Sequence, residues 1–239
     1  MGELRLSVIV PVYNATGTLA RALNSVRSQT WKNIELIVVD GKSTDNSRAI
    51  AREFNPDTLI SEEDEGVYDA MNKGLEHATG DWIYFLGSDD RLAADDVVEK
   101  LLSQNPETEL ICGKVKNVNR PTKRIPEMYH NRFTPALKWR NTLHHQGVFY
   151  HKSCFDSFRF DKRFKILGDY DLNLHLLKSG ARAFHSEVLI AVSDASGLSK
   201  NFGKFLYREE LRVKKKHFDA GQMLLQKIWV WMKWMYKNL

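Results

Sequence analysis

Three apolar runs restrict this chain more than any other feature: "LSVIVPVY" from residue 6, "IELIVVD" from residue 34 and "WIYFLG" from residue 82. Each is continuous in hydrophobicity, not alternating, so neither face of the strand it forms can be left in water. Strands of that kind belong to a parallel sheet covered by helices on both sides. The intervening stretches supply the helices. Residues 16–29 place Leu19, Leu23 and Val26 on one face, residues 45–54 and 67–78 follow at helical spacing, and "DTLI" at 57–60 is a short strand between them. The pattern predicts an α/β fold.

Sheets of this class bind ligands at the carboxyl ends of their strands, where loops meet helix N-termini. Tyr13 and Asn14, Asp40, and the pair Asp89–Asp90 stand at those ends in three consecutive units. A pair of acids can also be a solvated turn or a helix cap. Asp95–Asp96, just before "VVEKLL", suits the cap. Asp89–Asp90 differs in ending a buried strand directly, where hard oxygen ligands suit Mg²⁺ or Mn²⁺ held together with substrate phosphates. Asp40 closes "LIVVD" at the same rim and could accept hydrogen bonds from a base or ribose, whereas Asp45 fits a helix start beside Ser43 and Thr44.

Several chemistries are disfavoured. No G-x-G-x-x-G follows the first strand, so a dinucleotide cofactor is not indicated, and no G-x-S-x-G elbow supports a hydrolase. His144, His145 and Gln146 precede the apolar "GVFY" without the partners a zinc site needs. They are structural or make a polar contact to substrate. Cys112 and Cys154 give neither a disulfide framework nor ligand spacing, which indicates a reducing compartment.

Among the 239 residues, 43% are apolar and 27% charged, an ordinary balance for a soluble globular protein. No stretch approaches the roughly 20 apolar residues of a membrane span, and the N-terminal run carries a proline and looks like a strand, not a signal peptide. The formal charge of +5 is uneven: residues 200–239 hold ten Lys/Arg against three Asp/Glu, a net of +7, and the rest is close to neutral. Nucleic-acid binding over the whole surface is therefore not expected.

Beyond residue 105 the pattern weakens. "ELICGKVKNV" and "QGVFYH" suggest strands, "DYDLNLHLLKSG" a helix stopped by Gly180, and "ARAFHSEVLIAVSD" one or two strands. Asp169 and Asp171 stand in the first turn of that helix. Two residues apart they point about 200° from each other, so at most one can face a given pocket. The last eleven residues hold three of the six Trp, and across 224–237 Leu224, Ile228, Trp231 and Met235 fall on one helical face with Lys227, Lys233 and Lys237 interspersed. Such a segment suits the interface of an anionic membrane, or packing against protein.

Taken in order, "SVIVPVYNA" (7–15), "IELIVVDGKSTDNS" (34–47), "DEGVYDAMNKGLEHATGDWIYFLGSDD" (64–90), "HQGVFY" (145–150) and "FDKRFKILGDYDLNLHLL" (160–177) resemble the family 2 glycosyltransferases. The resemblance implies the GT-A fold, a Rossmann-like, mostly parallel sheet flanked by helices. The glycosyltransferase domain would span 1–200, with a nucleotide-binding half to about 105 and an acceptor half from 106, and a basic aromatic helical tail would follow at 201–239. It also implies inverting transfer from a nucleoside-diphosphate sugar to a saccharide or lipid-linked hydroxyl. By the same resemblance Pro11, Tyr13, Asp40, Asn72, Lys73, Asp89 and His145 bind the nucleotide sugar, with Tyr13 and Asp40 at the base and Asp89 at the ribose. Asp90 binds Mg²⁺ or Mn²⁺, and Asp169 is the catalytic base. "SGLSKN" at 196–201 matches a segment that closes over the diphosphate, with Lys200 and Arg208 adding positive charge. Work at the cytoplasmic face of a membrane is expected. Two departures stand out: the tip reads "GSDD", not D-x-D, and Lys42 replaces a small residue. A nucleotidyltransferase on a related sheet, or a non-catalytic sugar- or lipid-binding scaffold, are the rivals.

Overall fold

The three apolar runs become β1 (Leu6–Val12), β2 (Ile34–Asp40) and β4 (Trp82–Phe85), with β3 (Thr58–Ser61) at the sheet edge. They alternate with α1 (Leu19–Arg27), α2 (Ser47–Glu53) and α3 (Val67–His77). The computed structural model describes residues 4–104, 107–123, 125–195 and 203–238. In it β3, β2, β1 and β4 run parallel, with Val12 beside Asp40 and Ile9 beside Phe85. The chain moves from β1 outward to β3 and then returns to the other side of β1, so the direction of winding switches between β1 and β4. That switch opens a crevice at the carboxyl ends of the strands.

Period-two side-chain alternation explains the continuous hydrophobicity. Val8, Val10, Leu36, Val38 and Tyr84 pack on one face under α1, while Ile9, Ile37, Val39, Ile83 and Phe85 pack on the other with α3. Leu19, Ala22, Leu23 and Val26 are the buried face of α1. Gly74 on α3 lies so close to the sheet that a Cβ would sit 2.4 Å from the Ile9 side chain.

The second half is mixed, which is why its pattern was weaker. After β5 (Arg91–Leu92) and α4 (Val97–Leu102) come β6 (Leu110–Val118), β7 (Met128–His130), β8 (Val148–His151), α5 (Gly168–Lys178) and β9 (Ala183–Asp194). β8 joins β4 antiparallel, β6 follows antiparallel to β8, and β9 runs parallel to β6. Residues 183–194 form one strand, not two, and the irregularity in its register lies opposite Gly113, where a Cβ would meet Ile190 and Val188 at 2.7 Å. Gly180 does end α5, with φ of +78°. Asp96 stands at the N-cap of α4 but binds Lys100 at 2.8 Å in place of a backbone N–H.

The tail folds as α6 (Lys204–His217) and α7 (Ala220–Asn238). α6 lies on α5, where the buried Asp171 accepts from His217 at 2.6 Å and also pairs with Lys216. Glu210 binds Lys214 at 2.9 Å and Lys233 at 2.7 Å, joining the two tail helices. Lys214 and Trp229 both donate to the carbonyl of Trp139 on the body. The face predicted to be apolar, Leu224, Ile228 and Trp231, points outward and is at least half exposed.

Candidate active site

The crevice between β1 and β4 is the middle of three connected chambers. The first, of about 1020 Å³, lies over the ends of β1 and β2 and is lined by Pro11, Tyr13, Lys42 and Asp64. Its floor is two loops stitched together. The Asn14 amide donates to Ser43 Oγ at 2.9 Å, the Asn14 side chain accepts from Thr44 N at 2.9 Å, and the Thr16 amide donates to Asp45 at 3.0 Å. Hydrogen bonds from the Ser47 and Thr16 side chains foremost, with their backbone amides adding, hold the Asp45 carboxyl far below the usual range. Lys42 has φ of +62°, a left-handed conformation that favours glycine, which accounts for the expectation of a small residue there.

Pro11, Val67 and Ser88 also line the second chamber, of about 390 Å³, which contains Asp89, Asp90, Lys165 and Asp169. The acidic tip is crowded: a Cβ on Gly87 would lie 2.7 Å from Asp90 and 3.0 Å from Asp89 and Gln146. Asp90 is buried and accepts from the Asp194 amide at 2.8 Å, which ties the tip of β4 to the end of β9. Arg21 holds the Asp89 carbonyl at 2.7 Å. Burial foremost raises the Asp89 carboxyl, with the charge of Asp194 adding and Arg21 opposing.

These donors fit a divalent cation. Both are hard carboxylate oxygens, and a nearby positive charge would offset the desolvation that Asp89 suffers. Among the described residues no three His, Cys, Asp or Glu converge, so the protein would supply one or two carboxylates and the substrate the remainder.

Asp169 stands in the first turn of α5, on the wall between the second chamber and a third of about 270 Å³. Its Oδ1 accepts from the Tyr170 amide at 2.7 Å, and Oδ2 lies 3.4 Å from Asn141 Nδ2 and 3.8 Å from His145 Nδ1. Gln146 Nε2 lies 3.1 Å from the other His145 nitrogen, and with that amide donating, the imidazole proton points at Asp169. The loop before Asp169 is held from two sides. Tyr68 Oη of α3 donates to the Ile166 carbonyl at 2.7 Å, while Glu209 of α6 accepts from the amides of Lys165, Ile166 and Leu167 at 3.0, 2.7 and 2.7 Å. Tyr68 is pushed well above its usual pKa, by burial first and then by the charge of Asp169.

Pro11, Tyr13, Asp89, Asp90, His145 and Asp169 therefore meet along one cleft. Three expected residues take other places. Asp40 is buried beneath the first chamber, with one oxygen on the Ser43 amide and the other on Ser61 Oγ. Asn72 pairs through both side-chain atoms with the backbone of Phe160, and Lys73 binds the Glu63 carbonyl and Glu62. These two tie α3 to neighbouring loops and line none of the three chambers. Arg208 is exposed on α6, and the 196–201 segment with Lys200 lies outside the described residues. Tyr68, Lys165, Asp194 and Glu209 were not singled out, and Gln146 was read only as structural or as a polar contact to substrate. Tyr68 and Lys165 sat inside matched stretches, but spacing alone does not reveal which backbone groups a side chain will hold.

The sequence model of glycosyl transferase family 2 matches residues 7–165. A "PGL/p-HBAD biosynthesis glycosyltransferase" of Mycobacterium bovis is 32% identical over 216 residues, covering 83% of this chain and 80% of that protein. Among solved structures, S. aureus TarS in complex with UDP-GlcNAc superposes with a TM-score of 0.69 at 17% identity, covering 88% of this chain and 65% of that one. The mannosyltransferase PcManGT from Pyrobaculum calidifontis, in complex with GDP-Man and Mn²⁺, gives 0.60 at 21% identity, covering 95% and 65%. The two structural matches share the GT-A architecture with this chain, which spans about two thirds of each.

Proposed function

The chain belongs to glycosyl transferase family 2, and from that premise we propose that it moves a sugar from a nucleoside-diphosphate sugar to an acceptor hydroxyl with inversion at the anomeric carbon. The observation that carries this is the position of Asp169 on the wall shared by the chamber of Asp89–Asp90 and a further chamber beyond it. A carboxylate at such a partition can reach an acceptor hydroxyl on one side while the anomeric carbon lies on the other.

In this reading the base and ribose occupy the first chamber, between Tyr13 and the 41–44 loop, with Asp40 shaping that loop from below. The diphosphate and sugar occupy the second. Asp169 takes the proton of the acceptor hydroxyl as its oxygen attacks the anomeric carbon, and the bond from that carbon to the diphosphate oxygen breaks on the opposite face. His145, its ring set by Gln146, stabilises the carboxylate orientation. Lys165, which lines the second chamber, offers positive charge to the departing diphosphate. Asp90, with Asp89 beside it, would hold Mg²⁺ or Mn²⁺, which supplies Lewis-acid stabilisation of the leaving group. The Mn²⁺ in the PcManGT complex supports that choice.

The acceptor is read as a saccharide or lipid-linked hydroxyl in surface polysaccharide biosynthesis, and the mycobacterial relative is likewise named a biosynthesis glycosyltransferase. Residues 1–200 would carry the chemistry. Among the described residues no helix is long and apolar enough to cross a membrane. The outward stripe of Leu224, Leu225, Ile228, Trp231 and Met232 supports attachment of α7 to an anionic membrane surface, expected on its cytoplasmic side.

Calorimetric titration with UDP, GDP, CDP and dTDP, with and without Mn²⁺, tests the donor site. Metal-dependent binding of one base over the others is expected, and it is lost in Asp90→Ala. Binding of none of them by the folded protein would sink the proposal.

A further inference from the structure

The third chamber is made differently from the other two. It lies between the β6–β7 edge, the 141–145 segment, the loop before Asp169, and the tail helices, which contribute Leu206, Glu210 and Lys233. Ile125, Pro126, Leu143 and Leu206 give it carbon walls, joined by the rings of Tyr129 and Tyr170.

Most of its polar groups are already engaged within the protein. Tyr129 Oη donates to the Asn141 carbonyl at 3.2 Å and Tyr170 Oη to the Leu137 carbonyl at 2.6 Å. Glu210 and Lys233 bind each other at 2.7 Å. Asn141 Oδ1 accepts from the Leu143 amide at 3.2 Å, and its Nδ2 faces Asp169. Two groups keep capacity for a ligand: Asn117, whose Nδ2 donates to the Pro126 carbonyl at 2.9 Å while its buried Oδ1 has no hydrogen-bond partner, and the exposed Arg140. A ligand entering here meets mostly carbon, with the spare Asn117 oxygen, the Arg140 guanidinium and the His144 ring as polar points and Asp169 at the junction.

A sugar ring carries several hydroxyls, and burying them without partners is costly. An apolar group has no such penalty, and a cavity of about 150 Å³ already takes a benzene ring. We propose that the third chamber receives an apolar group borne by the acceptor next to its reacting hydroxyl, an aryl ring or short alkyl segment, and that α6 and α7 are thereby walls of the acceptor site. This rests on Asp169 as the base, which places the acceptor hydroxyl at the mouth of the chamber. The tail then does more than attach the protein to a surface: it selects what is glycosylated.

Phenyl, hexyl and methyl β-D-glucopyranoside share one sugar and differ only in what the chamber would receive. Their affinities are measured by ligand-observed NMR on the full chain in the presence of the nucleoside diphosphate that binds best. The phenyl or hexyl glycoside is expected to bind at least about tenfold more tightly than the methyl one, and which of the two leads separates a ring from an alkyl chain. Leu206→Trp, at a half-buried position on α6, fills the chamber and should remove the preference without altering nucleotide binding. Equal affinity for all three, binding of none, or a preference that survives Leu206→Trp overturns the proposal. Failure of the donor reading shows separately, as absence of nucleoside-diphosphate binding in the same wild-type sample.

Discussion

At Gly87 a single hydrogen decides whether the acidic tip can form. The space that a Cβ would occupy is taken by the Asp90 and Asp89 carboxylates and the Gln146 amide, the nearest only 2.7 Å away. Gly87→Ala must push these groups apart, an overpacking cost of about 1–3 kcal/mol concentrated on the donor site. We expect nucleotide affinity to fall at least about tenfold while the protein stays folded by circular dichroism. Unchanged affinity would mean that the tip does not contact the donor. At this scale the placement of Asp89 and Asp90 at the rim was legible in the sequence, because a buried strand of a parallel sheet ends at that edge. The partners of Asn72 and Lys73 were not, since helical spacing gives the direction of a side chain and not its partner. Asn72 satisfies the Phe160 backbone, a residue 88 positions away.

Among elements, α6 matters most to the site. Glu209 collects three consecutive amides of the loop that leads into Asp169. Glu209→Ala leaves those donors buried without an acceptor, at about 1–3 kcal/mol for each one that water does not reach. The melting temperature should drop by several degrees, with kcat reduced about tenfold or more and donor affinity close to normal. Glu209→Gln, keeping one acceptor oxygen, should fall between. A lower melting temperature with kcat unaltered would confine Glu209 to stability. The strands and helices up to α3 were readable because both faces of β1, β2 and β4 are buried and their hydrophobicity is continuous. The mixed strands β6 to β9 were harder. β9 alternates half-buried and exposed residues along its first half and takes an irregular register around Gly113. Nothing in the local pattern of α6 announced that two of its acids, Glu209 and Glu210, would be buried.

For the molecule as a whole, α7 turns Gln226 and Lys233 toward the body beside the buried Val230, and presents a stripe of large apolar residues outward. Gln226 and Lys233 bind Lys214 and Glu210, whereas Leu224, Leu225, Ile228, Trp231 and Met232 are at least half exposed. An isolated surface helix has the reverse arrangement. Wild-type protein should therefore sediment with vesicles containing phosphatidylglycerol, less so at high salt. Ile228→Glu combined with Trp231→Glu should lower that partition at least about tenfold, because two large apolar side chains are withdrawn from the interface. Sedimentation unaffected by the double substitution would assign the stripe to another partner. The orientation of this face could not be read from spacing alone, since the same stripe serves equally for packing inward.

All three scales meet at Asp169, and the split between binding and turnover in Asp169→Asn is the most direct test. Asparagine keeps the shape of the side chain but cannot accept the acceptor's proton. Once the donor is identified by titration, its affinity and the rate of sugar transfer are measured on the same preparation. We predict donor affinity within about twofold of wild type and kcat lower by about 10²–10⁴-fold. Near-normal turnover would place the base elsewhere and contradict the assignment of Asp169 to the partition between donor and acceptor.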